Sequence, residues 1–458
     1  MLEAMRLSQL AQPLSGRLLS TDAQFDRVVI DSRQVEPGSL FVALPGERTD
    51  GHAHLAQARA RGAAAALVEH AVDDPLPQLQ VADSAYALGQ LAALARQAYI
   101  KPMVAITGSS GKTTVKEMLA AILRQRGKVL ATRGNLNNEL GVPLTLLELS
   151  AEHDFAVIEM GAAKAGDLTY SMNLARPQIS VLVNATMAHV GRFGGPEQLA
   201  KAKGEIVTAL PADGKAVLNL DSPWFETWYQ TLAGRQAMVF AVENPSAELR
   251  AEDIGRNADG AVHFMLCQQA QRQPVQLALL GEHNVANALA AAAAALLLGF
   301  SLQEIADGLA QVQPVNGRTF ARRGLQGALV IDDSYNANPA SVKAAIDLLA
   351  GFPGTRVMVL GDMGELGEWE VSSHREVGDY ARNQGLQALY TCGPLAALAA
   401  EAFGPGAQAF SDKTTLLDAL RPQLDEDTRV LVKGSRSAAM EQVVAGLLNP
   451  QENQQGAG

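Results

Sequence analysis

Apolar residues in this chain gather into short continuous runs, separated by longer stretches with helical spacing. The runs RVVIDSR (27–33), SLFVALPG (39–46) and AAALVEH (64–70) predict strands of a small α/β unit, with a helix over His52–Arg61. Lys101-Pro102 marks a boundary, because a residue before proline resists helical geometry. Next come MVAIT (103–107), the turn GSSGK, and a stretch placing Val115, Met118, Leu119, Ile122 and Leu123 on one helical face. Gly127 ends that helix. FAVIEM (155–160), ISVLVN (179–184) and AVLNLDS (216–222) are apolar throughout rather than alternating, the mark of parallel strands covered on both faces. Residues 235–280 carry more scattered β-like pieces, AMVFAVE and PVQLALL, and helices follow over 282–313. After a second boundary at PVNG (314–317) come ALVIDDSY (328–335), RVMVLGDM (356–363), ALYTCG (388–393) and RVLVKGS (429–435), again alternating with helical stretches. The fold class this predicts is α/β: a small N-terminal domain, a central domain with a mostly parallel sheet, and a doubly wound, Rossmann-like C-terminal domain.

The runs end in small or functional groups: Thr107-Gly108, Glu159, Asn184, Asp332-Asp333, Gly361-Asp362 and Lys433-Gly434. Ligands of open α/β sheets bind outside the carboxyl ends of the strands. Two domains therefore aim polar groups from their strand ends.

Length and composition narrow the picture. At roughly 150 residues per domain, 458 residues hold three domains, drawn at 1–100, 101–314 and 315–458. The formal charge of −11 argues against nucleic acid as a partner, since that needs a basic face. Cys267 and Cys392, the two cysteines, build neither a zinc cluster nor a disulfide framework and are expected to be free thiols in a reducing compartment. The N-terminus lacks the basic-then-apolar pattern of a secretory signal. The longest apolar run, ALAAAAAALLLGF (288–300), is too short to cross a bilayer and predicts a buried helix. A cytoplasmic monomer without a membrane span is expected, with a polar, disordered tail PQENQQGAG.

The strongest local chemistry is ITGSSGKTT (106–114) between a strand and an amphipathic helix. Small residues at Gly108, Ser109, Ser110 and Gly111 let backbone N–H groups approach phosphate oxygens. The helix dipole favours the anion, Lys112 reaches the terminal phosphates, and Thr113, followed by Thr114, offers a hydroxyl to Mg²⁺. The longer phosphate-loop pattern wants glycine where Ile106 stands, so only the core Gly108–Thr113 is present. Glu159, closing the next run, is a hard oxygen donor suited to the same Mg²⁺. His189 and Lys203 taken singly read as a surface histidine and one lysine of a solvated helix face. His283 and Asn287 share a face at i, i+4 of the next helix. NLNNELGVP (135–143) and DDSYNANPAS (332–341) are dense in donors and acceptors, with Pro339 placed to open a helix. KGSR (433–436) suits an anion or is a solvated loop.

TGSSGKTT, NLNNELGVP, IEMG, NATMAH…AKAKGEI, GEHNVAN, the arginine of NGR, DDSYNANPAS and LGDMGELGE follow one another in this order, with DSR and GSLFVALPGERTDGH upstream. Together they resemble the Mur ligases of bacterial peptidoglycan synthesis, most closely the branch that adds D-alanyl-D-alanine to a UDP-N-acetylmuramoyl tripeptide. The resemblance implies one domain for the UDP-sugar, a central ATPase and a domain delivering the dipeptide. It implies amide formation through an acyl phosphate, with ATP and two Mg²⁺. Thr113 and Glu159 would hold one Mg²⁺; His189 and Lys203, the latter as a carbamate, would hold the other. Asn287 would approach the adenine, Arg318 a phosphate and Asp333 the ribose. Asn336 and Asn338 would lie near the dipeptide, Asn135, Asn137 and Asn138 near the substrate, and Ser32 and Arg33 near the nucleotide-sugar. The glycine missing at Ile106 is ordinary in that family.

Competing readings are a sibling ligase that adds one amino acid, a folylpolyglutamate synthase-like ligase, and a phosphate-loop switch or motor. The absence of DNPR disfavours the diaminopimelate-adding sibling, and a folylpolyglutamate synthase lacks a UDP-sugar domain like residues 1–100. A switch needs no polar NANP site on another domain.

Overall fold

The computed structural model describes residues 3–46, 49–188, 190–257 and 260–449. His189 and the tail from 450 onward lie outside the described residues.

Three sheets carry the chain, beside a short antiparallel pair, Met5–Arg6 with Gln24–Phe25. The N-terminal sheet orders its strands Arg17–Leu18, Gln78–Gln80, Ala65–Val68, Ser39–Val42 and Arg27–Val29, all parallel except the first. The expected helix over His52–Arg61 is a 3₁₀ turn, Gly51–His54, running into an α-helix, Leu55–Ala60.

In the central sheet Met103–Thr107 lies between Phe155–Glu159 and Ile179–Leu182, and all three are parallel. Every side chain of Met103–Thr107 is buried, as its unbroken apolar pattern requires. The sheet continues in parallel through Lys215–Asn219, Gln236–Ala241 and Leu249–Arg256, then turns antiparallel with Ala261–Gln268 and Gln271–Leu280. That antiparallel part is the region whose pieces looked scattered in the sequence. Its last strand alternates buried and exposed positions because one face meets solvent. The Ala-rich run forms the helix His283–Leu297, whose residues 287–295 are all buried in the core beneath this sheet.

The C-terminal sheet orders Phe320–Arg323, Leu329–Asp333, Thr428–Lys433, Thr355–Gly361, Ala388–Cys392 and Ala407–Phe410, parallel but for the first. Pro339 opens the helix Pro339–Ala350, and Asn338 caps it.

The N-terminal unit is welded to the central one. Its helix Ser84–Ala98 shares a single apolar core with Leu146, Leu168 and Met172. The buried guanidinium of Arg96 donates to the carbonyls of Ala175, Tyr99 and Arg176, satisfying the end of the helix Asp167–Ala175. No helix among the described residues is long and apolar enough to cross a membrane. Cys267 is buried, Cys392 half-buried, and both are free.

Candidate active site

The strand Met103–Thr107 delivers the chain into a tight loop, and the helix Lys112–Leu123 leaves it. Gly111 takes φ +78°, and a Cβ there would stand 2.3 Å from Asn287 Oδ1, so only glycine fits. The loop is braced from the neighbouring strand end. Asn184 Oδ1 accepts from Ser109 N at 3.1 Å and from Ser110 N at 3.0 Å, and Ser109 Oγ donates to Thr186 O at 3.1 Å. Those two loop amides are therefore committed to Asn184. The open N-terminal turn of the helix at Lys112–Thr114 has the backbone geometry that can take an anion. The Lys112 ammonium donates to Gly108 O at 2.7 Å. Burial, and then the nearby Arg318 charge, push its pKa down, while Glu159 pulls it up.

Thr113 Oγ1 donates to Glu159 Oε2 at 2.9 Å, and Asn137 Nδ2 donates to Oε1 at 2.7 Å. Glu159 is 2 % exposed, so its carboxylate faces the cleft from an otherwise closed wall. Lys203, on the helix Pro196–Thr208, is equally buried. No carboxylate among the described residues pairs with it directly, and burial, aided by the Lys112 charge, lowers its pKa to about 7. A lysine read from sequence as one of a solvated face is thus a buried amine facing the same cleft as Lys112 and Glu159.

The C-terminal domain closes the other side. Arg318 lies over the ring of Tyr335, 4.3 Å from its centroid. Lys433 Nζ donates to Asp333 Oδ2 at 2.6 Å and to Asn336 O at 2.9 Å, and Thr319 N donates to Asp333 Oδ1 at 3.2 Å. Together the two domains enclose a cleft of about 570 Å³. Among the described residues it is lined by five basic side chains (Lys112, Arg192, Lys203, Arg318, Lys433) and six acidic ones (Glu117, Glu139, Glu159, Asp167, Asp333, Glu365). His283 also lines it.

The cleft gathers Ser109, Ser110, Gly111, Lys112, Thr113, Thr114, Asn135, Asn137, Asn138, Glu159, Lys203, Asn287, Arg318, Asp333, Asn336 and Asn338. Several have local work. Asn138 Oδ1 accepts from Gly141 N, Asn338 Oδ1 from Ser341 N, and Asn287 Nδ2 donates to Asn284 Oδ1. Asn287 thus stands against the phosphate loop at Gly111. Ser32 and Arg33 lie apart from this cleft. Ser32 Oγ donates to Gln57 Oε1, and the exposed Arg33 grips Asp31 with two nitrogens, lowering that carboxyl to about 2. A smaller hollow of about 370 Å³ separates the N-terminal sheet from Leu140.

No local sequence pattern marks Thr319 or the Arg192–Glu365 ion pair, and only the crowding of polar residues around DDSYNANPAS hints at Tyr335. Asp50, His52 and His70 also cluster. His52 Nδ1 faces Asp50 Oδ1 at 2.6 Å, and Nε2 accepts from Glu69 N, so both ring nitrogens are engaged in holding their own loop.

A phosphate loop and an acidic strand end in one α/β domain, faced by a doubly wound domain with its own polar strand ends, define a three-domain nucleotide-dependent enzyme. Residues 24–98, 106–295 and 317–436 match the Mur ligase family catalytic domain, the Mur ligase middle domain, and the Mur ligase glutamate ligase domain, respectively. The chain belongs to the Mur ligase family, in its MurF branch. It is 44% identical to the UDP-N-acetylmuramoyl-tripeptide–D-alanyl-D-alanine ligase of Escherichia coli K12 over 98% of each chain. A crystal structure of MurF from Acinetobacter baumannii superposes with a TM-score of 0.91 at 37% identity, covering 97% of this chain and 98% of that one. MurF from Thermotoga maritima, solved in complex with ADP, gives 0.82 at 28% identity, covering 94% and 97%.

Proposed function

We infer that the cleft couples ATP cleavage to formation of an amide bond between UDP-N-acetylmuramoyl tripeptide and D-alanyl-D-alanine, a step of peptidoglycan precursor synthesis. The observation that carries this is the single cleft shared by two domains, with Lys112, Thr113, Glu159 and Lys203 from the central one and Arg318, Asp333, Asn336 and Lys433 from the C-terminal one. Residues 1–100, 101–314 and 315–458 are the units that hold the UDP-sugar, the ATP and the dipeptide, and the enzyme works in the cytoplasm where ATP is supplied.

The chemistry must bring two anions together. A carboxylate oxygen of the tripeptide attacks the γ-phosphorus, and ADP leaves. The dipeptide amine then attacks the acyl carbon, and phosphate departs with the former carboxylate oxygen. Positioning and charge neutralisation catalyse phosphoryl transfer. Lys112 and the amides of Lys112–Thr114 bind the β- and γ-phosphates, with Arg318 held over Tyr335 toward the same charge. Asp333, fixed by Lys433 and Thr319, orients the nucleotide from the C-terminal side, and Asn287 supports the loop. Asn336 and Asn338 face the dipeptide; Asn135, Asn137 and Asn138 shape the wall that receives the tripeptide; Ser32 and Arg33 belong to the UDP-sugar end.

Five basic against six acidic side chains do not neutralise a triphosphate, which argues for bound cations. The donor set fits Mg²⁺: Thr113 Oγ1 and Glu159 Oε2 are hard oxygens 2.9 Å apart. Two such oxygens are the kind of donor Mg²⁺ prefers, and they would hold it. Bound there, Mg²⁺ would supply positive charge to the phosphates. Lys203 fits carbamylation, because a buried amine with a pKa near 7 is substantially neutral at physiological pH and can take up CO₂. As a carbamate it would offer oxygen ligands to a second Mg²⁺, for which the family resemblance names His189 as the other ligand.

The test is ADP release with UDP-N-acetylmuramoyl tripeptide and a panel of amines. Release with D-alanyl-D-alanine alone among D-alanyl-D-alanine, meso-diaminopimelate and glutamate is expected. Preference for a single amino acid would move the chain to a sibling specificity.

A further inference from the structure

Lys116 is a buried cation that the reaction as described leaves idle. It sits one helical turn beyond Lys112 and is 2 % exposed. A lysine that only filled space there would be better replaced by an apolar side chain, since desolvating an ammonium is costly. Its contacts say what it does. Nζ donates to the carbonyl of Thr132 at 2.7 Å and pairs with Glu117 at 2.8 Å. Thr132 is 1 % exposed and is the residue at which the chain leaves the edge strand Val129–Ala131 for the asparagine loop. Its N–H donates to Val157 O at 3.1 Å, and its Oγ1 accepts from Glu159 N at 2.9 Å. Thr132 therefore links three things: the helix that begins with Lys112 and Thr113, the strand end that carries Glu159, and the loop whose Asn137 donates to Glu159.

We propose that Lys116 is a positioning residue that, through Thr132, holds the Glu159 carboxylate at its distance from the Thr113 hydroxyl and so sets the affinity of these two oxygens for a divalent cation. The inference rests on reading the cleft as a Mg²⁺-nucleotide site. Without the ammonium, the Thr132 carbonyl loses its donor inside the protein, and the helix and the asparagine loop are no longer tied at that point. The two oxygens then drift relative to each other, and Mg²⁺ tolerates such drift poorly because it demands near-ideal octahedral geometry. Nucleotide held by the loop amides and Lys112 is little affected.

The readout is the gain in ADP affinity on adding Mg²⁺, measured by calorimetry on the full chain without turnover. Wild type shows a clear gain. Lys116→Met is expected to lose about tenfold of it, the equivalent of one buried hydrogen bond, while ADP affinity without Mg²⁺ changes less than threefold. Lys116→Arg, which can still donate to Thr132 O, recovers part of the gain. Thr132→Val removes only the hydroxyl that accepts from Glu159 N, keeps the shape, and is expected to act in the same direction; it carries the test if Lys116→Met does not fold. A general loss of structure would weaken both affinities together and would overturn the proposal, as would an unchanged Mg²⁺ gain in Lys116→Met and Thr132→Val. If wild type itself shows no Mg²⁺-dependent gain, the reading of the site falls instead.

Discussion

One of the contacts that join the central and C-terminal domains is a backbone-to-backbone hydrogen bond that a single methyl group can disturb. Gly191, in the short helix Val190–Phe193, donates its N–H to Glu365 O at 3.2 Å in the C-terminal domain. Val190 beside it is fully buried in the core of the C-terminal sheet, with Met363 and Leu366. A Cβ at Gly191 would stand 2.7 Å from Gly367 N, 2.9 Å from Leu366 C and 3.0 Å from Gly367 Cα. All three are backbone atoms, so no side chain can swing away. Gly191→Ala therefore pushes the Glu365–Gly367 corner outward. Overpacking of this kind costs about 1–3 kcal/mol. Because the corner can retreat by opening the domains, that cost falls on the closed arrangement and shifts its population by roughly 5- to 150-fold. Alanine also favours the local helix, so the central domain itself should not weaken. Turnover in a complete ADP-release assay should fall by about tenfold or more, with ADP affinity of the isolated step changed less than threefold and the thermal midpoint nearly unchanged. Small-angle scattering with nucleotide and substrates should show a more extended particle than wild type. Wild-type turnover together with a wild-type scattering profile in Gly191→Ala would refute the reasoning.

Three further outcomes follow from the same cleft. Lys112→Ala should abolish turnover by removing the phosphate contact, and ADP release at the wild-type rate would contradict the loop's assignment. Lys203→Ala should lose at least 100-fold in kcat and regain part of it with added formate or acetate; full activity without rescue would remove the carbamate from the mechanism. Lys203→Met should be more stable than wild type at neutral pH when bicarbonate and nucleotide are absent. Lys203 has a folded pKa of about 7, below the value of roughly 10.4 for an unfolded lysine. Between those values the unfolded chain binds more protons, so wild-type stability rises with pH across that window, and Lys203→Met should lack that rise. Parallel stability–pH curves for the two proteins would show that the buried charge is not the cause.

Much of the fold was legible because burial on both faces leaves unbroken apolar runs. Met103–Thr107, Phe155–Glu159, Ile179–Leu182 and Thr428–Lys433 stand where such runs predicted them. The edge strands Val129–Ala131 and Ala407–Phe410 were missed, since an edge strand of three or four residues has little apolar pattern to display. The strand–turn–helix around Gly108–Thr113 could be read from local sequence because its three parts are contiguous. Lys203 could not, since its burial comes from packing among distant segments, and only family resemblance singled it out. Asn184 was noticed as a strand end, but its use as a brace for Ser109 and Ser110 depends on the parallel register of Ile179–Leu182 with Met103–Thr107, which no local pattern states. The charge of −11 has a similar explanation. The cleft holds nearly balanced charges, with Lys433 already paired to Asp333, so the anionic substrates meet positioned cations rather than a basic surface.

The central claim is that ATP activates the tripeptide carboxylate within this cleft, and the fate of one oxygen tests it most directly. With UDP-N-acetylmuramoyl tripeptide labelled with ¹⁸O in its acceptor carboxylate, and with ATP and D-alanyl-D-alanine, the account predicts one labelled oxygen in each inorganic phosphate released and ADP as the nucleotide product. Unlabelled phosphate, or AMP carrying the label, would contradict it.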